Sequence, residues 1–197
     1  ADAQAATAGA SSVRISGSVD ENGNRTSLNV VAAHGEGGGV LFQQGKRFQI
    51  IVHTPDLYMK APASTWTALN TGDDTAAGEI AAQLFAGRWV RMSTTNDEFG
   101  GMANLFEIST FVSETGDLSS VTKRPVTTFH GARAIPLYDS VKQSTVYVAA
   151  TGAPYVLGMT SNGASTGSVV FSQYGSAKVP PAPAHSVDLS ALEQAPA

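Results

Sequence analysis

Hydrophobic and polar residues alternate with a period of two near both ends of the chain and with a helical period in its middle. In VRISGSV (13–19), Val13, Ile15, Gly17 and Val19 fall on one face and Arg14, Ser16 and Ser18 on the other, which predicts a half-buried strand. ENGN (21–24) puts Asn-Gly at a tight hairpin turn, and SLNVVA (27–32) returns as the next strand. HGEGGG (34–39) supplies a second turn, VLFQQ (40–44) and KRFQIIVHT (46–54) form a hairpin across Gly45, and LYMKA (57–61) closes the first block. Residues 1–10 are rich in alanine but too short to hold a helix alone, so a frayed segment is expected there.

The middle changes period. APASTWTALN (61–70) predicts a short helix or turn around Trp66. TAAGEIAAQLFAG (75–87) places Ala76, Ile80 and Leu84 four apart, a helical stripe that Gly87 can stop. WVRM (89–92) is a short strand or connector, and NDEFGGMANLFEISTFV (96–112) gathers Phe99, Met102, Leu105, Phe106 and Val112 near one face of a second helix. Asn96 or Asp97 caps that helix and Gly100-Gly101 weakens its first turn. From residue 121 the strand period returns in VTKRPVTTFH, ARAIPLYDS, TVYVAA, PYVLGMTSN and GSVVFSQYG, with turn residues between them. The order strands, helices, strands predicts an α+β fold and argues against parallel βαβ units. About nine or ten strands in meander order make a sheet wide enough to curl, with the mid-chain helices over its concave face. Residues 1–178 are expected to form one domain, and the proline-rich segment 179–197 an extended tail, with VDLSAL docking on the body.

Composition narrows the function classes. Charged residues make up only 14% of the 197 and the net charge is −4, with no clustered cations, which excludes a nucleic-acid surface. Low charge combined with many small neutral residues suits a secreted or envelope-facing protein. There is no cysteine, so disulfides, thiolate metal sites and thiol catalysis are excluded for this chain. No apolar run is long enough to be a membrane-spanning helix.

Candidate catalytic chemistry is thin. His34, His53, His130 and His185 have no metal-binding spacing, so no metal site or cofactor is expected. Ser120-Val-Thr-Lys123 matches Ser-x-x-Lys formally, but it leads into a strand without the helix that chemistry needs, and chance explains it. Gly35, Gly37, Gly38 and Gly39 lack the third glycine and following helix of a dinucleotide fingerprint, so a hairpin or bulge is expected. Asn24-Arg-Thr26 fits a glycosylation acceptor and, more simply, a hairpin turn. Asp73/Asp74 and Asp97/Glu98 sit at helix starts, where capping accounts for them. The chain is therefore read as non-enzymatic.

SVRISGSV, FQIIVHTPDLYMKAPASTWTAL, FAGRWVRM, STVYVAATGAPYVLGM and GSVVFSQYG, taken in this order over roughly residues 11–175, resemble the actinobacterial LolA-like envelope lipoproteins. They are similar to the mycobacterial LppX/LprG family and, more distantly, to the LolA and LolB carriers. The resemblance implies a strongly curved half-barrel sheet with helices on its concave face and an apolar cavity for acyl chains. It implies a lipid or glycolipid ligand, and membrane tethering at the outer face of the cytoplasmic membrane through a lipidated cysteine that this chain lacks. The family supplies no fixed pocket motif. Face reading alone nominates Ile80, Leu84, Phe99, Met102, Leu105 and Phe106 from the helices and Ile50, Val52, Val146 and Val148 from the strands. For any one of the helical residues a plain core role is the simpler reading; collectively they would form an adaptable roof over an apolar cavity, with the sheet as its rigid wall. The alternative is an envelope interaction module with a filled core, using a sheet edge or the proline-rich tail to bind another protein.

Overall fold

The computed structural model describes residues 2–69, 75–95, 100–113, 115, 116, 118 and 120–189. Strands β1 (Ser12–Glu21), β2 (Asn24–Ala33), β3 (Glu36–Gln43), β4 (Lys46–His53) and β5 (Asp56–Lys60) follow one another as antiparallel neighbours; the β1–β2 and β3–β4 turns fall where the sequence predicts, while the 34–39 segment read as a turn is ladder-paired strand from Glu36 onward. Helices α2 (Ala63–Leu69) and α3 (Thr75–Phe85) lead to β6 (Val90–Ser93), which pairs with β5. A 3-10 helix (Gly100–Phe106) and α4 (Ile108–Ser113) come next. The second strand block comprises β7 (Thr122–Lys123), β8 (Thr127–Phe129), β9 (Ala132–Asp139), β10 (Ser144–Ala149), β11 (Val156–Asn162) and β12 (Ser165–Ser172).

All of these strands belong to one mixed, open sheet of 13 strands, in the order β13-β6-β5-β4-β3-β2-β1-β12-β11-β10-β9-β7, with β8 also on β9. A short parallel β13 (Val187–Asp188) completes one edge against β6. The two strand blocks meet where β1 pairs with β12, Arg14 opposite Ser172 through Glu21 opposite Ser165. The fold is thus of α+β type, with a curved sheet and a few helices.

One face of the sheet forms the core. Val13 and Ile15, Val30 and Ala32, Ile50 and Val52, Leu57 and Met59, and Val169 and Phe171 recur at period two and cluster with Trp66, Phe85, Phe106 and Ile108 from the helices. Gly17 and Gly167 lie on the same face as these residues and face each other's strands at the β1–β12 seam. Their φ values are +154° and +151°, and a Cβ at either would fall 2.1 or 2.2 Å from a carbonyl oxygen across the seam. Only glycine permits that bend.

The sheet has 13 strands where the sequence predicts about nine or ten, and three further details differ from the sequence reading. The N-terminal segment is a docked helix, α1 (Asp2–Ala8), with Ala3 and Thr7 buried. Thr7 Oγ1 accepts from the Val156 backbone N–H at 2.9 Å and donates to the Ala3 carbonyl, so tertiary contacts supply what a short helix lacks by itself. The segment read as one helix over 96–112 divides at Glu107. In its 3-10 part, period three sets Ala103 and Phe106 on one side. VTKRPVTTFH divides into β7 and β8 around Pro125, which has no N–H to give the ladder.

The proline-rich tail runs over the opposite face of the sheet. Pro180 rests on Gly38, where a Cβ would lie 3.1 Å from its ring, and the Pro180 carbonyl is 2.9 Å from His53 Nε2. Beyond it, Val187 N–H bonds to the Trp89 carbonyl and Asp188 pairs with Arg91.

Tyr174 stacks on Tyr155 at 4.1 Å, and its hydroxyl donates to the Val156 carbonyl. Burial pushes its phenol above the ordinary 10.0. An unfolded tyrosine ionises from about pH 10 while the folded one keeps its proton, so its contribution is complete below that pH and declines above it. Urea midpoints taken from about pH 8 to about pH 11 should fall over the upper part of that range, and Tyr174→Phe should flatten the fall. Identical slopes in the two proteins would contradict the buried hydroxyl.

Candidate functional site

The space between the sheet and the 3-10/α4 segment is incompletely filled. A cavity of about 130 Å³ is bounded by Leu28, Val30, Leu41 and Ile50 on the sheet and by Leu105, Phe106 and Phe111 above them. A larger recess of about 430 Å³ shares Thr26, Leu28 and Phe111 with it and continues along Val19, Met159, Val169 and Phe171. The two form one apolar groove over β1, β2, β3, β4, β11 and β12. It exists partly because the seam positions on this face are glycines: Gly167 lines the recess directly and offers no side chain to fill it.

Phe106 anchors the roof. It is buried, and its ring lies where a Cβ on Gly37 would stand, 2.5 Å from the Phe106 Cβ. Within the glycine run 35–39, Gly37 is therefore a seat for an aromatic ring on one face, while Gly38 seats Pro180 on the other. Next to it, Glu107 Oε1 accepts from the Gly35 backbone N–H at 2.9 Å, tying the end of the 3-10 helix to the β2–β3 turn. By contrast, Leu105 is 38% exposed at the cavity edge, and Phe111 packs only partly against the core, edge-on to Phe171 at 6.4 Å.

The groove opens at the end of the sheet where four hairpins turn. Register puts Glu21 opposite Asn24 and Ser165, Thr26 opposite Gln43, and Ser144 opposite Asp139 and Ser161, so the β1–β2, β3–β4, β9–β10 and β11–β12 turns share that end. Glu21, Asn22, Asn24, Gln43 and Gln44 form its polar rim. Beyond the other side of the 3-10 helix, Val52 lies at the base of a separate polar pocket with Thr54, Thr94, Asn104 and Glu107.

The nominated residues divide accordingly. Ile50, Leu105 and Phe106 line the groove, and Met102 packs partly buried against the core beside it. Val52 is core and touches the polar pocket; Val146 and Val148 are buried in β10 away from the groove. Ile80 and Leu84 lie on the solvent side of α3, 56% and 44% exposed, because Ala82 and Phe85 are the residues that helix turns inward. Phe99 and the carboxylate pairs Asp73/Asp74 and Asp97/Glu98 lie outside the described residues. The groove residues not nominated include Val19, Leu28, Val30, Leu41 and Phe111 on one side and Met159, Val169 and Phe171 of the β11–β12 hairpin on the other, and the strand residues of the two sides come together only through the β1–β12 pairing. Their period-two faces were readable, but their convergence was not.

Nothing else in the described residues forms a reactive cluster. Ser120 and Lys123 are both exposed, with Lys123 in the short strand β7. Among the described residues no three His, Asp or Glu side chains converge as metal ligands, and no helix is long and apolar enough to cross a membrane.

Leu105 and Phe106 are adjacent but should behave differently. Phe106→Ala empties the Gly37 seat and is expected to cost about 3–5 kcal/mol in urea unfolding. Leu105→Ala, at the exposed edge, should cost less than about 1 kcal/mol. Equal losses would mean that the edge of the cavity is as firmly packed as its anchor.

No protein-family model matches the chain, and no curated protein matches it. Among solved structures it is similar to a DUF1329 family protein from Desulfovibrio piger, at 6% identity and a TM-score of 0.26 over 86% of this chain and 87% of that one, a likeness too weak to bear on function.

Proposed function

We propose that the protein is a non-enzymatic cell-envelope domain of the LolA-like, half-barrel type that holds the acyl chain of a lipid or glycolipid in the groove between sheet and 3-10/α4 roof. The single observation that supports this reading is the apolar recess of about 430 Å³ floored by Leu28 and Val169 and bounded by Phe111. That volume lies in the range of small-molecule sites, about 300–1,000 Å³. It also supports this reading over a filled-core interaction module.

The energetics fit reversible holding. About ten buried methylenes would gain about 8 kcal/mol before the losses of chain ordering. A bilayer shelters the same chain nearly as well, so exchange with a membrane stays close to balance. The empty protein does not bear the cost of a sealed void, because the recess is half-open and water can enter it. The empty state costs exposed apolar surface at Leu105 and Phe111, which a guest would cover. The sheet is the rigid wall. The roof is held by Phe106, Glu107, Ile108 and Val112, and its adaptable part is the partly packed side chains of Leu105 and Phe111 that face the groove. Residence in the envelope, with or without a lipid anchor, belongs to the same reading.

Protein purified from an actinobacterial host should carry acyl lipid in native mass spectrometry, and stripped protein should take up a pyrene-labelled fatty alcohol. Leu28→Trp, which fills the floor shared by both cavities, should lower that uptake at least about tenfold with little loss of stability. A single unliganded mass together with no uptake would defeat the proposal.

A further inference from the structure

Among the described residues, the rim of the groove carries amides, hydroxyls and one carboxylate, and no cation. Asn22, Asn24, Gln43 and Gln44 stand with Glu21 around the hairpin turns. Ser161 and Ser165 close the far side, their hydroxyls 3.4 Å apart. None of the 12 lysines and arginines lines the groove or this rim.

The cations nearest in sequence, Arg25, Lys46, Arg47 and Lys142, belong to the hairpins at this end, Lys46 opposite Gln43 in register, but their charged groups lie against other residues, Arg47 over the Phe42 ring at 5.8 Å. Arg25 reaches Ser18 Oγ at 3.1 Å on the face opposite the groove. Lys46 donates to the Ala68 carbonyl at 3.1 Å, near the C-terminal end of α2. Lys142 lies against Gly116, its ammonium 2.7 Å from where a Cβ there would stand.

An acyl chain in the apolar groove would bring its headgroup to this rim. A carboxylate or phosphate there would lose water with no cation to replace it and would face the like charge of Glu21. Hydroxyls would find both donors and acceptors, since each rim amide offers both and the carboxylate accepts. Resting on the acyl-chain reading above, we propose that the protein selects acyl lipids with an uncharged, hydroxylated headgroup, glycerol or sugar, seated at the hairpin rim.

Titration of stripped protein with monopalmitoylglycerol, glucose palmitate, palmitate and palmitoyl lysophosphatidic acid separates the alternatives. The two neutral ligands should bind at least about fivefold more tightly than the two anions. The better of the neutral pair identifies glycerol or sugar. Glu21→Lys should narrow or reverse the preference by strengthening the anions, and Asn24→Lys should do the same at a second rim position if the first variant folds poorly. Equal affinity for all four, or tighter binding of the anions, would overturn the headgroup assignment and leave the acyl-chain reading standing. Binding of none would overturn both.

Discussion

Strand β1 is hydrogen-bonded along its length on both sides, to β2 from its own hairpin and to β12 from the far end of the chain. Everything else about the molecule depends on this second pairing. Without it the chain would be two separate meanders, each with an exposed edge. With it, the apolar faces of both blocks become one surface, and the helices between them in sequence lie over that surface. The pairing also requires Gly17 and Gly167, whose backbones approach across the seam more closely than any side chain allows. Those glycines leave the floor at the seam bare. The constraint that joins the sheet is therefore also the reason the groove exists.

The groove's chemistry follows from where the seam falls. Its interior comes from period-two positions of β1 to β4, β11 and β12, which are apolar because they face the core. Its mouth comes from hairpin turns, which are rich in Asn, Gln and Ser because turns favour short polar residues. An apolar trough ending in a neutral polar rim suits an amphiphile with its chain inside and its headgroup outside. Phe106 in the Gly37 seat holds the roof over one end of this trough, while the roof residues nearer the mouth are less buried.

Local structure was largely legible in the sequence. The alternation in VRISGSV and KRFQIIVHT, the Asn-Gly turn and the Gly87 stop each correspond to elements of the fold, because neighbouring residues alone set them. What escaped was set by distant contacts. Period-four spacing picked out Ile80 and Leu84, but α3 turns Ala82 and Phe85 inward, and the side a helix buries depends on its partner. The glycine run 35–39 could be recognised as unusual, yet Gly37's role as a ring seat required knowing that Phe106 lies above it. The nominated Ile50, Leu105 and Phe106 do line the groove. Leu28 and Val169 could not be paired from the sequence, since the β1–β12 register joins strands with no turn between them to fix it.

Photo-crosslinking with a monoacylglycerol carrying a diazirine at the end of its acyl chain tests the account most directly. The chain terminus should label the groove, with adducts mapped to Leu28, Phe111, Met159 or Val169. Adducts scattered over the outer face, or concentrated on the exposed Ile80 and Leu84 of α3, would contradict it.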